Sequence, residues 1–475
     1  MQTPLKILIV SAEVSPYSKT GGLGDVIGSL PKALRANGVD ARVVLPKFGS
    51  IPSQLIKDIQ HVSTFNIHLS WRTQEAKVYA DSSVYFIENN HYFAREGLYG
   101  YDDDHERFAF FTKAAIEMLG HIDFKPDILH FNDWHSGLGP TYLRDMYRGF
   151  SFYSEMKSLF TIHNLHYQGT FGRPVLWDIG LNDGYYTNGD LEFHGNISFM
   201  KAGIMHADAV STVSPTYATE ITTPDYGYGM DGLLRARSDE SKLFGITNGI
   251  DTASHDPQTD PRLYSNFDAN SLEKKRENKH RLQETLGLPI SDAPMLGIIT
   301  RLAEQKGLDL LSIIMDELMS KDIQLVVLGT GEGRYENLLR HYAHHCPHKV
   351  SANIRFDNTL AQRIYGASDM FLMPSVYEPC GLGQLFAMRY GAIPIVRKTG
   401  GLADTVQHFN AQTGAGNGFA FEDYVASGLM WAINEALGVY HSPKWENLVK
   451  NAMNGDFSWD NSALEYIGLY KSILV

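Results

Sequence analysis

The chain has 475 residues, too many for one ordinary hydrophobic core, so two large domains are expected. Hydrophobic residues at 43% and charged residues at 20% are typical of a soluble globular protein, and a net charge of −13 argues against nucleic acid or an anionic membrane as the main partner. Two cysteines cannot form a disulfide framework, and Glu13 ends the first apolar run without a cleavage pattern. We therefore expect a cytoplasmic protein without a signal peptide or a membrane span.

The first predicted strand, residues 7–10 (ILIV), leads into a glycine-rich loop at residues 19–25 (KTGGLGD). Apolar residues then recur at helical spacing from Leu23 to Leu34, which predicts a strand, a loop and a helix in succession. Glycines let a backbone approach a ligand closely, and Lys19 adds a flexible positive charge. The loop matches neither the Walker A nor the dinucleotide-binding motif, so a structural turn is as good an interpretation as a ligand-binding loop.

An alternating β/α order is predicted for the rest of the first half. Short apolar runs that favour buried strands occupy residues 41–45, 84–87, 128–131, 159–162 and 209–213. Polar and aromatic residues follow two of these runs, at residues 132–135 (NDWH) and 163–169 (HNLHYQG). Such side chains suit a sugar, because pyranose rings have apolar faces and hydroxyl edges. A structural role is the alternative for each of these histidines.

A domain boundary is predicted near residues 245–251 (GITNGID), which have turn chemistry and precede a polar stretch at residues 252–269. A second β/α series then begins with predicted strands at residues 296–300 and 325–328. Arg301 and Lys306 follow the first of these strands. Two cations at this spacing could bind a diphosphate, and a solvated loop is the alternative.

The segment around Glu378 is the strongest candidate for an active site. Residues 370–373 (MFLM) predict a buried strand that ends before Glu378, and residues 384–390 predict a helix. Ligands bind at the carboxyl edge of parallel sheets, and helix N-termini bind anions. A carboxylate suits sugar hydroxyls and bare N–H groups suit a diphosphate, so a nucleotide sugar is predicted here. The alternative is a turn in which Glu378 only caps the helix.

Residues 398–404 (KTGGLAD) repeat the first glycine loop, residues 19–25, with a single change. Each copy precedes a helix-like segment. The repeat predicts two Rossmann-like halves that present similar glycine loops toward a shared cleft. Residues 462–474 predict an amphipathic helix whose location the pattern does not give.

Two polar clusters are considered as metal sites. The histidines and the cysteine within residues 341–348 lack the spacing of a standard zinc site, so a surface helix end is favoured. Residues 102–104 (DDD) favour a solvated acidic loop over a cluster of metal-binding carboxylates.

Together, these motifs resemble those of bacterial glycogen synthases and plant starch synthases. The resemblance runs from residue 7 to about residue 466. It is carried by residues 19–23 (KTGGL), 97–100 (GLYG), 132–135 (NDWH), 161–164 (TIHN), 212–217 (TVSPTY), 248–251 (NGID), 301–302 (RL) with 305–307 (QKG), 378–382 (EPCGL) and the second glycine loop. Each motif is weak alone, and their ordered combination is specific.

The resemblance implies an α/β GT-B fold, with two Rossmann-like domains facing each other across a deep cleft. The implied domains are residues 1–247, with a C-terminal helix at about 457–475 packing back onto them, and residues 248–456. The implied activity is transfer of glucose from ADP-glucose to the non-reducing 4-OH of an α-1,4-glucan, such as glycogen or a maltooligosaccharide, with retention of configuration. No metal or other cofactor is implied.

The resemblance also implies roles for individual residues. Arg301 and Lys306 would hold the diphosphate and stabilise the departing ADP, while Glu378 would bind glucose hydroxyls. Asp133 and His163 would line the reacting centre, with the backbone carbonyl of His163 facing the anomeric carbon. The remaining implied donor-binding residues are Lys19, Gly22, Asp25, Asn248, Phe356, Cys380, Gly381, Leu382 and Gly383.

Retention by a same-face route would need no protein nucleophile, and a double displacement through Glu378 or Asp133 is the alternative. Phe386 stands where many related transferases have a second glutamate, and an aromatic residue is usual there in this family. His255 stands where the family usually has a tryptophan. Two other functions are weighed: a GT-B transferase with another donor or a small acceptor, and a catalytically silent glucan-binding protein.

Overall fold

The computed structural model describes residues 4–475. The chain divides into two compact units. The first consists of the described part of Met1–Asn248 together with Trp459–Val475, and the second is Gly249–Ser458. None of the helices within residues 4–475 combines the length and apolarity that a membrane span requires.

The first unit is a doubly wound α/β structure built on one large sheet. Its strands are β1 (Lys6–Val10), β2 (Asp40–Pro46), β3 (Gln60–Leu69), β4 (Arg72–Asp81), β5 (Val84–Glu88), β6 (Ile128–Asn132), β7 (Lys157–Ile162), β8 (Thr170–Gly172), β9 (Glu192–Phe193), β10 (Asn196–Ser198), β11 (Ala209–Thr212) and β12 (Leu243–Gly245). The large sheet has the order β12-β11-β7-β6-β1-β2-β5-β4-β3, and its strands are parallel from β12 through β5. Strands β8, β10 and β9 form a small antiparallel sheet.

The helices of this unit connect the strands and cover the sheet. They are α1 (Gly22–Ala36), α2 (Asn90–Phe93), α3 (Asp104–Glu117), α4 (Gly139–Tyr142), α5 (Val175–Asp178), α6 (Gly184–Thr187), α7 (Phe199–His206), α8 (Pro215–Glu220) and α9 (Asp231–Asp239). Helix α1 buries Leu23, Val26, Ile27, Leu30 and Leu34, which are the residues whose helical spacing predicts it.

The second unit has one parallel sheet in the order β15-β14-β13-β16-β17-β18. Its strands are β13 (Met295–Ile299), β14 (Gln324–Leu328), β15 (Val350–Asn353), β16 (Met370–Met373), β17 (Ile393–Arg397) and β18 (Phe419–Phe421). Its helices are α10 (Leu272–Leu286), α11 (Leu308–Ser320), α12 (Gly333–His345), α13 (Asn358–Ala367), α14 (Gly383–Arg389), α15 (Gly400–Thr405), α16 (Ala426–Tyr440) and α17 (Lys444–Met453).

In each sheet the order in which the chain adds strands reverses at one point, called the switch point. Ligands bind at such points in open α/β folds. In the first unit the chain passes from β1 to β2, continues to the edge strand β3 and returns through β4 to β5. It then crosses to β6 on the other side of β1. In the second unit it builds outward from β13 through β14 and β15, then crosses to β16. The segments that follow β1, β6, β13 and β16 therefore lie at the two switch points, and they contain most of the predicted site residues.

The last helix, α18 (Trp459–Leu474), belongs to the first unit and packs against α1. The Tyr470 hydroxyl lies 2.8 Å from Nδ1 of His130, which is fully buried on β6. The Ser462 hydroxyl donates to the carbonyl of Thr247 at 2.5 Å. The helix therefore completes the core of a unit whose other residues precede it by more than 200 positions.

The predicted strands are present, and their ends shift by at most two residues. The antiparallel hairpin β3–β4 is absent from the predicted elements, because its outward-facing positions are polar and only alternate residues are buried. The predicted polar stretch at residues 252–269 contains no helix or strand, yet Leu263 and Phe267 are buried in the core of the second unit.

Candidate functional site

Glu13, which follows β1, organises the first glycine loop. Its buried carboxylate accepts hydrogen bonds from the backbone N–H groups of Thr20 at 2.6 Å and Gly21 at 3.1 Å, and from the Thr20 hydroxyl at 2.7 Å. The Tyr99 hydroxyl also donates to it, and burial together with this carboxylate raises the pKa of Tyr99. Two N–H groups of the loop are therefore used internally. Sequence reasoning did not assign Glu13 a role; its position between β1 and the loop is the signal that could have found it.

The other predicted residues of this loop are on its surface. The ammonium group of Lys19 lies 2.8 Å from the carboxylate of Asp25, and both side chains are partly exposed. Gly22 begins α1 and is exposed, and no side chain among residues 4–475 caps this helix start. The first turn of α1 thus offers N–H groups to an anion, with one lysine beside it.

Asp133 and His163 are brought together at the same switch point. The Asp133 carboxylate, which follows β6, accepts from the backbone N–H of His163 at 2.7 Å and of Asn164 at 3.4 Å. Nε2 of His163 lies 2.9 Å from Oδ1 of Asn132, so the ring proton is assigned to Nε2. Asp133 has φ of 54°, a left-handed conformation that is unusual for aspartate and typical of functional sites.

Burial decides the protonation of both groups. It lowers the pKa of His163 to about 3, so the imidazole is neutral at physiological pH. It raises the pKa of Asp133 to about 7, against the two N–H donors that favour the charged form, and the nearby Glu13 adds to the rise. Asp133 therefore titrates close to neutrality.

This pKa makes stability depend on pH. Between about pH 4 and pH 7 the unfolded chain releases the Asp133 proton that the folded chain keeps, so the folded state loses stability as pH rises, by at most about 1.4 kcal/mol per pH unit. Asp133→Asn keeps an acceptor for the His163 N–H and does not titrate. We expect its melting temperature, relative to the unsubstituted protein, to rise from pH 5 to pH 8.

Melting temperatures measured at several pH values in this range provide the test. Asp58→Asn is the control, because the Asp58 side chain is 85% exposed. A constant difference in melting temperature between Asp133→Asn and the unsubstituted protein from pH 5 to pH 8 would contradict the raised pKa of Asp133.

Asn248 ends the first unit and is buried. Its side-chain oxygen has no hydrogen-bond partner among the described residues. A buried polar atom usually has a partner, so this oxygen is available to a ligand hydroxyl.

In the second unit, Lys306 and Glu378 meet at the switch point. The ammonium group of Lys306 lies 2.7 Å from the carboxylate of Glu378, to which the Ser375 hydroxyl also donates at 3.1 Å. The side chains of Lys306 and Glu378 are 20% and 9% exposed. The structure thus joins residues that follow two different strands, β13 and β16, in one ion pair.

Arg301 is connected through Gln305 to the backbone of Tyr377, which precedes Glu378. Its guanidinium donates to the side-chain oxygen of Gln305 at 3.1 Å, and the Gln305 amide donates to the carbonyl of Tyr377 at 3.4 Å. Arg301 itself is exposed. A positive and an acidic group therefore share one edge of the sheet, as a diphosphate linked to a sugar requires.

The segment after Glu378 leads into α14, which begins at Gly383. Gly381 has φ of 72°, a conformation that favours glycine, and Cys380 is buried. The side-chain amide of Gln384 donates to the carbonyls of Cys380 at 3.1 Å and Gly381 at 2.9 Å, which holds the turn. This geometry presents Leu382 and Gly383 at the start of the helix.

Phe356 and Phe386 have different surroundings. Phe356 follows β15, the edge strand of the sheet, and is 84% exposed. Phe386 on α14 stacks on His255, with ring centroids 4.3 Å apart. His255, where the resemblance predicts a tryptophan, thus packs as an aromatic ring.

The second glycine loop differs from the first in burial: its two glycines are buried, whereas the equivalent Gly21 and Gly22 of the first loop are exposed. Gly400 and Gly401 are buried against the Glu378 segment, and the Gly401 N–H donates to the carbonyl of Glu378 at 3.1 Å. Gly21, in contrast, is exposed, and a Cβ atom there would meet nothing within 4 Å. The prediction that the two halves present similar glycine loops is therefore wrong, because the second loop packs against the backbone of the Glu378 segment.

Matched alanine substitutions at equivalent positions of the repeat test this difference. Gly400 has φ of 44°, and a Cβ atom would lie 2.0 Å from the carbonyl oxygen of Glu378. We expect Gly400→Ala to cost about 3 kcal/mol or more, which lowers the melting temperature by roughly 6–12 °C. Gly21→Ala is the control and should leave the melting temperature nearly unchanged. Equal melting temperatures for the two variants would contradict the supporting role of Gly400.

Two carboxylates of the acidic cluster at residues 102–104 form ion pairs with arginines. Asp103 pairs with Arg95 at 2.6 Å, and Asp104 pairs with the fully buried Arg107. The interpretation of residues 102–104 as a solvated loop is therefore wrong for Asp104, which is buried at the start of α3, whereas Asp103 stays partly exposed. Within residues 4–475, no group of three or more His, Cys, Asp or Glu side chains is arranged to hold a metal ion.

Comparison with known proteins covers nearly the whole chain. The family model described as starch synthase catalytic domain matches residues 6–236, and the one described as glycosyl transferases group 1 matches residues 287–454. Glycogen synthase from Clostridium acetobutylicum is 51% identical, covering 99% of this chain and 100% of the relative. Glycogen synthase from Clostridium novyi is 49% identical, covering 99% of each chain.

The chain is also similar to solved structures of glycosyltransferases. The catalytic domain of starch synthase IV from Arabidopsis thaliana, bound to ADP and acarbose, has a TM-score of 0.92 and 35% identity, covering 99% of this chain and 100% of that domain. Sucrose-phosphate synthase from Thermosynechococcus elongatus has a TM-score of 0.62 and 18% identity, covering 99% of each chain, and shares the fold. With its two Rossmann-like units of the GT-B fold, the chain belongs to the glycogen synthase and starch synthase family of glucosyltransferases.

Proposed function

We propose that this glucosyltransferase transfers glucose from ADP-glucose to the non-reducing 4-OH of an α-1,4-glucan with retention of configuration. The observation that carries the proposal is the pairing of Lys306 with Glu378 at the switch point of the second unit. Arg301, connected through Gln305, supplies a second positive charge. The ADP and acarbose bound to the plant starch synthase support an adenine nucleotide donor and an oligosaccharide acceptor.

The second unit holds the donor in this proposal. Glu378 accepts hydrogen bonds from glucose hydroxyls, and its burial strengthens them because competing water is excluded. Lys306 has three N–H donors and uses one on Glu378, so two can bind phosphate oxygens. As the bond between glucose and phosphate breaks, negative charge grows on ADP, and Lys306 and Arg301 stabilise it.

The first unit supplies the groups around the reacting carbon. Asp133 holds the backbone N–H of His163 and Asn132 holds its ring, so the peptide of His163 is fixed in one orientation. We infer that the carbonyl of His163 faces the anomeric carbon. Asn248 offers its unpaired oxygen to a substrate hydroxyl, while Lys19 and Gly22 contact the donor at the start of α1.

The surroundings of both carboxylates favour the same-face route to retention. Asp133 is committed to two backbone N–H groups and titrates near pH 7, while Glu378 is paired with Lys306. Each is a weak nucleophile for a double displacement. In the same-face route the acceptor 4-OH forms the new bond to the anomeric carbon, the bond to phosphate breaks, and the hydroxyl proton passes to the leaving phosphate oxygen.

The test is incorporation of labelled glucose into glycogen from ADP-glucose, with a chelator present and with UDP-glucose in parallel. We expect incorporation from ADP-glucose that the chelator does not reduce, and products that an α-1,4-specific hydrolase releases. No incorporation by folded protein would refute the proposal. Preference for UDP-glucose would indicate a transferase with another donor, and glycogen binding without turnover would indicate a silent glucan-binding protein.

The two cysteines bear on where this reaction occurs. Cys346 and Cys380 are not joined in a disulfide. Reduced thiols are typical of the cytoplasm, which we propose as the compartment of this enzyme.

A further inference from the structure

A second depression in the second unit lies apart from Arg301, Lys306 and Glu378. It has a volume of about 760 Å³ and lies among the second glycine loop, β18 and α16. The residues that matter for its chemistry are Lys398, His408, Glu422, Asp423, Ser427 and Trp431. Its volume falls within the range of about 300–1,000 Å³ that is usual for ligand sites. We call it the His408–Trp431 pocket.

Two stacked aromatic rings line this pocket. The rings of His408 and Trp431 are nearly parallel, at 10°, with centroids 5.5 Å apart. Trp431 is 48% exposed, which is unusual for so large an apolar side chain, and His408 is exposed as well. Although the rings stack, both keep exposed surface that a ligand can contact.

The His408 ring is held in place from behind. The backbone N–H of Ala420 donates to its Nδ1 at 3.2 Å, and its ring packs edge-on against the buried Phe419 at 5.6 Å. Nδ1 accepts this hydrogen bond, so the neutral ring carries its proton on Nε2 and can donate to a ligand. A ring fixed in this way loses little conformational entropy on binding.

The pocket also has hydrogen-bonding groups beside these rings. Glu422 pairs with Lys398 at 3.2 Å, and Asp423 and Ser427 are exposed. Carboxylates accept hydrogen bonds from sugar hydroxyls, while the rings pack against the apolar face of a pyranose. Two carboxylates against one lysine disfavour a phosphorylated or otherwise anionic ligand.

We propose that the His408–Trp431 pocket binds a segment of α-glucan, as a second glucan site outside the catalytic one. The glucan as ligand rests on the proposed function, because the chemistry of the pocket fits sugars in general. A polymer held here stays close to the enzyme, and its other chain ends reach the reacting centre at a raised effective concentration. The pocket then matters for glycogen and not for a short acceptor.

The experiment compares Trp431→Ala with Trp177→Ala. Trp177 is 66% exposed in the first unit and does not line the pocket, so it is a matched control. Mobility in gels that contain glycogen measures affinity without any turnover. We expect Trp431→Ala to bind glycogen about tenfold more weakly, as the loss of one stacking contact predicts, and Trp177→Ala to bind as the unsubstituted enzyme does.

Kinetics give the second measurement. Trp431→Ala should raise KM for glycogen about tenfold and leave KM for ADP-glucose, KM for maltotriose and kcat unchanged. His408→Ala should show the same pattern with Trp431 in place. Unchanged gel mobility of both pocket variants, or an equal loss in Trp177→Ala, would overturn the proposal. An enzyme that binds glycogen through Trp431 but transfers no glucose would instead refute the proposed function.

Discussion

Lys306→Ala is expected to lower kcat with ADP-glucose by about 100- to 1,000-fold, because removing one group that stabilises developing charge costs about 2.7–4 kcal/mol. Glycogen affinity, measured by gel mobility, should not change, since Lys306 acts on the departing diphosphate. The measurement is steady-state kinetics with varied ADP-glucose and with varied glycogen. An equal loss of donor use and glycogen binding would contradict this role.

Lys450→Ala is the control for this substitution. Lys450 pairs with Glu446 at 2.6 Å, nearly the distance between Lys306 and Glu378, but both side chains of the Lys450 pair are well exposed. An exposed ion pair contributes at most about 1 kcal/mol, so Lys450→Ala should behave as the unsubstituted enzyme. The comparison of the two variants distinguishes the general effect of removing a paired lysine from the specific effect of removing Lys306.

Glu378→Ala is expected to reduce turnover by orders of magnitude with the fold intact. The carboxylate is buried, orients the glucose through its hydroxyls and holds Lys306 in position for the phosphates. Glu378→Gln keeps the size and one acceptor but loses the charge, so it should recover only part of the activity. Near-normal turnover in Glu378→Ala would remove this residue from the site.

The stability of these variants provides an independent check. Lys306→Ala leaves a carboxylate that is 9% exposed without its cation, whereas Glu378→Ala leaves an ammonium group that is 20% exposed and can hydrate more easily. Melting temperatures should therefore fall more for Lys306→Ala. The double variant should lose less activity than the product of the two single losses, because each single change already breaks the shared pair.

Much of the fold could be predicted because strands of a parallel sheet are buried on both faces. Such strands are continuous apolar runs, as in residues 370–373, and their ends were placed to within two residues. The hairpin β3–β4 lies at the edge of its sheet with one face toward solvent, so it lacks that signal. The apolar pattern does not show which strands are neighbours, so the strand order came only from the structure.

The candidate site was predicted in part. The sequence indicated Arg301, Lys306 and Glu378 by their positions after strands, but the contact between Lys306 and Glu378 joins positions 72 residues apart. The sequence did not indicate a role for Glu13, because a single glutamate after a strand has no distinctive pattern. Its role depends on the N–H groups of Thr20 and Gly21 that the fold places against it.

By itself, the sequence of this protein determined the alternation of strands and helices, the two chain segments rich in glycine, and the stock of charged and aromatic groups near strand ends. Those properties are local, since they depend on neighbours along the chain. Only the tertiary structure decided that the two adjacent glycines of the first loop are exposed and that those of the second loop are buried against the backbone of Glu378. It also decided that α18 completes the first unit through Tyr470 and His130. Burial and pairing are set by groups distant in sequence, so two segments with almost the same residues can have different roles.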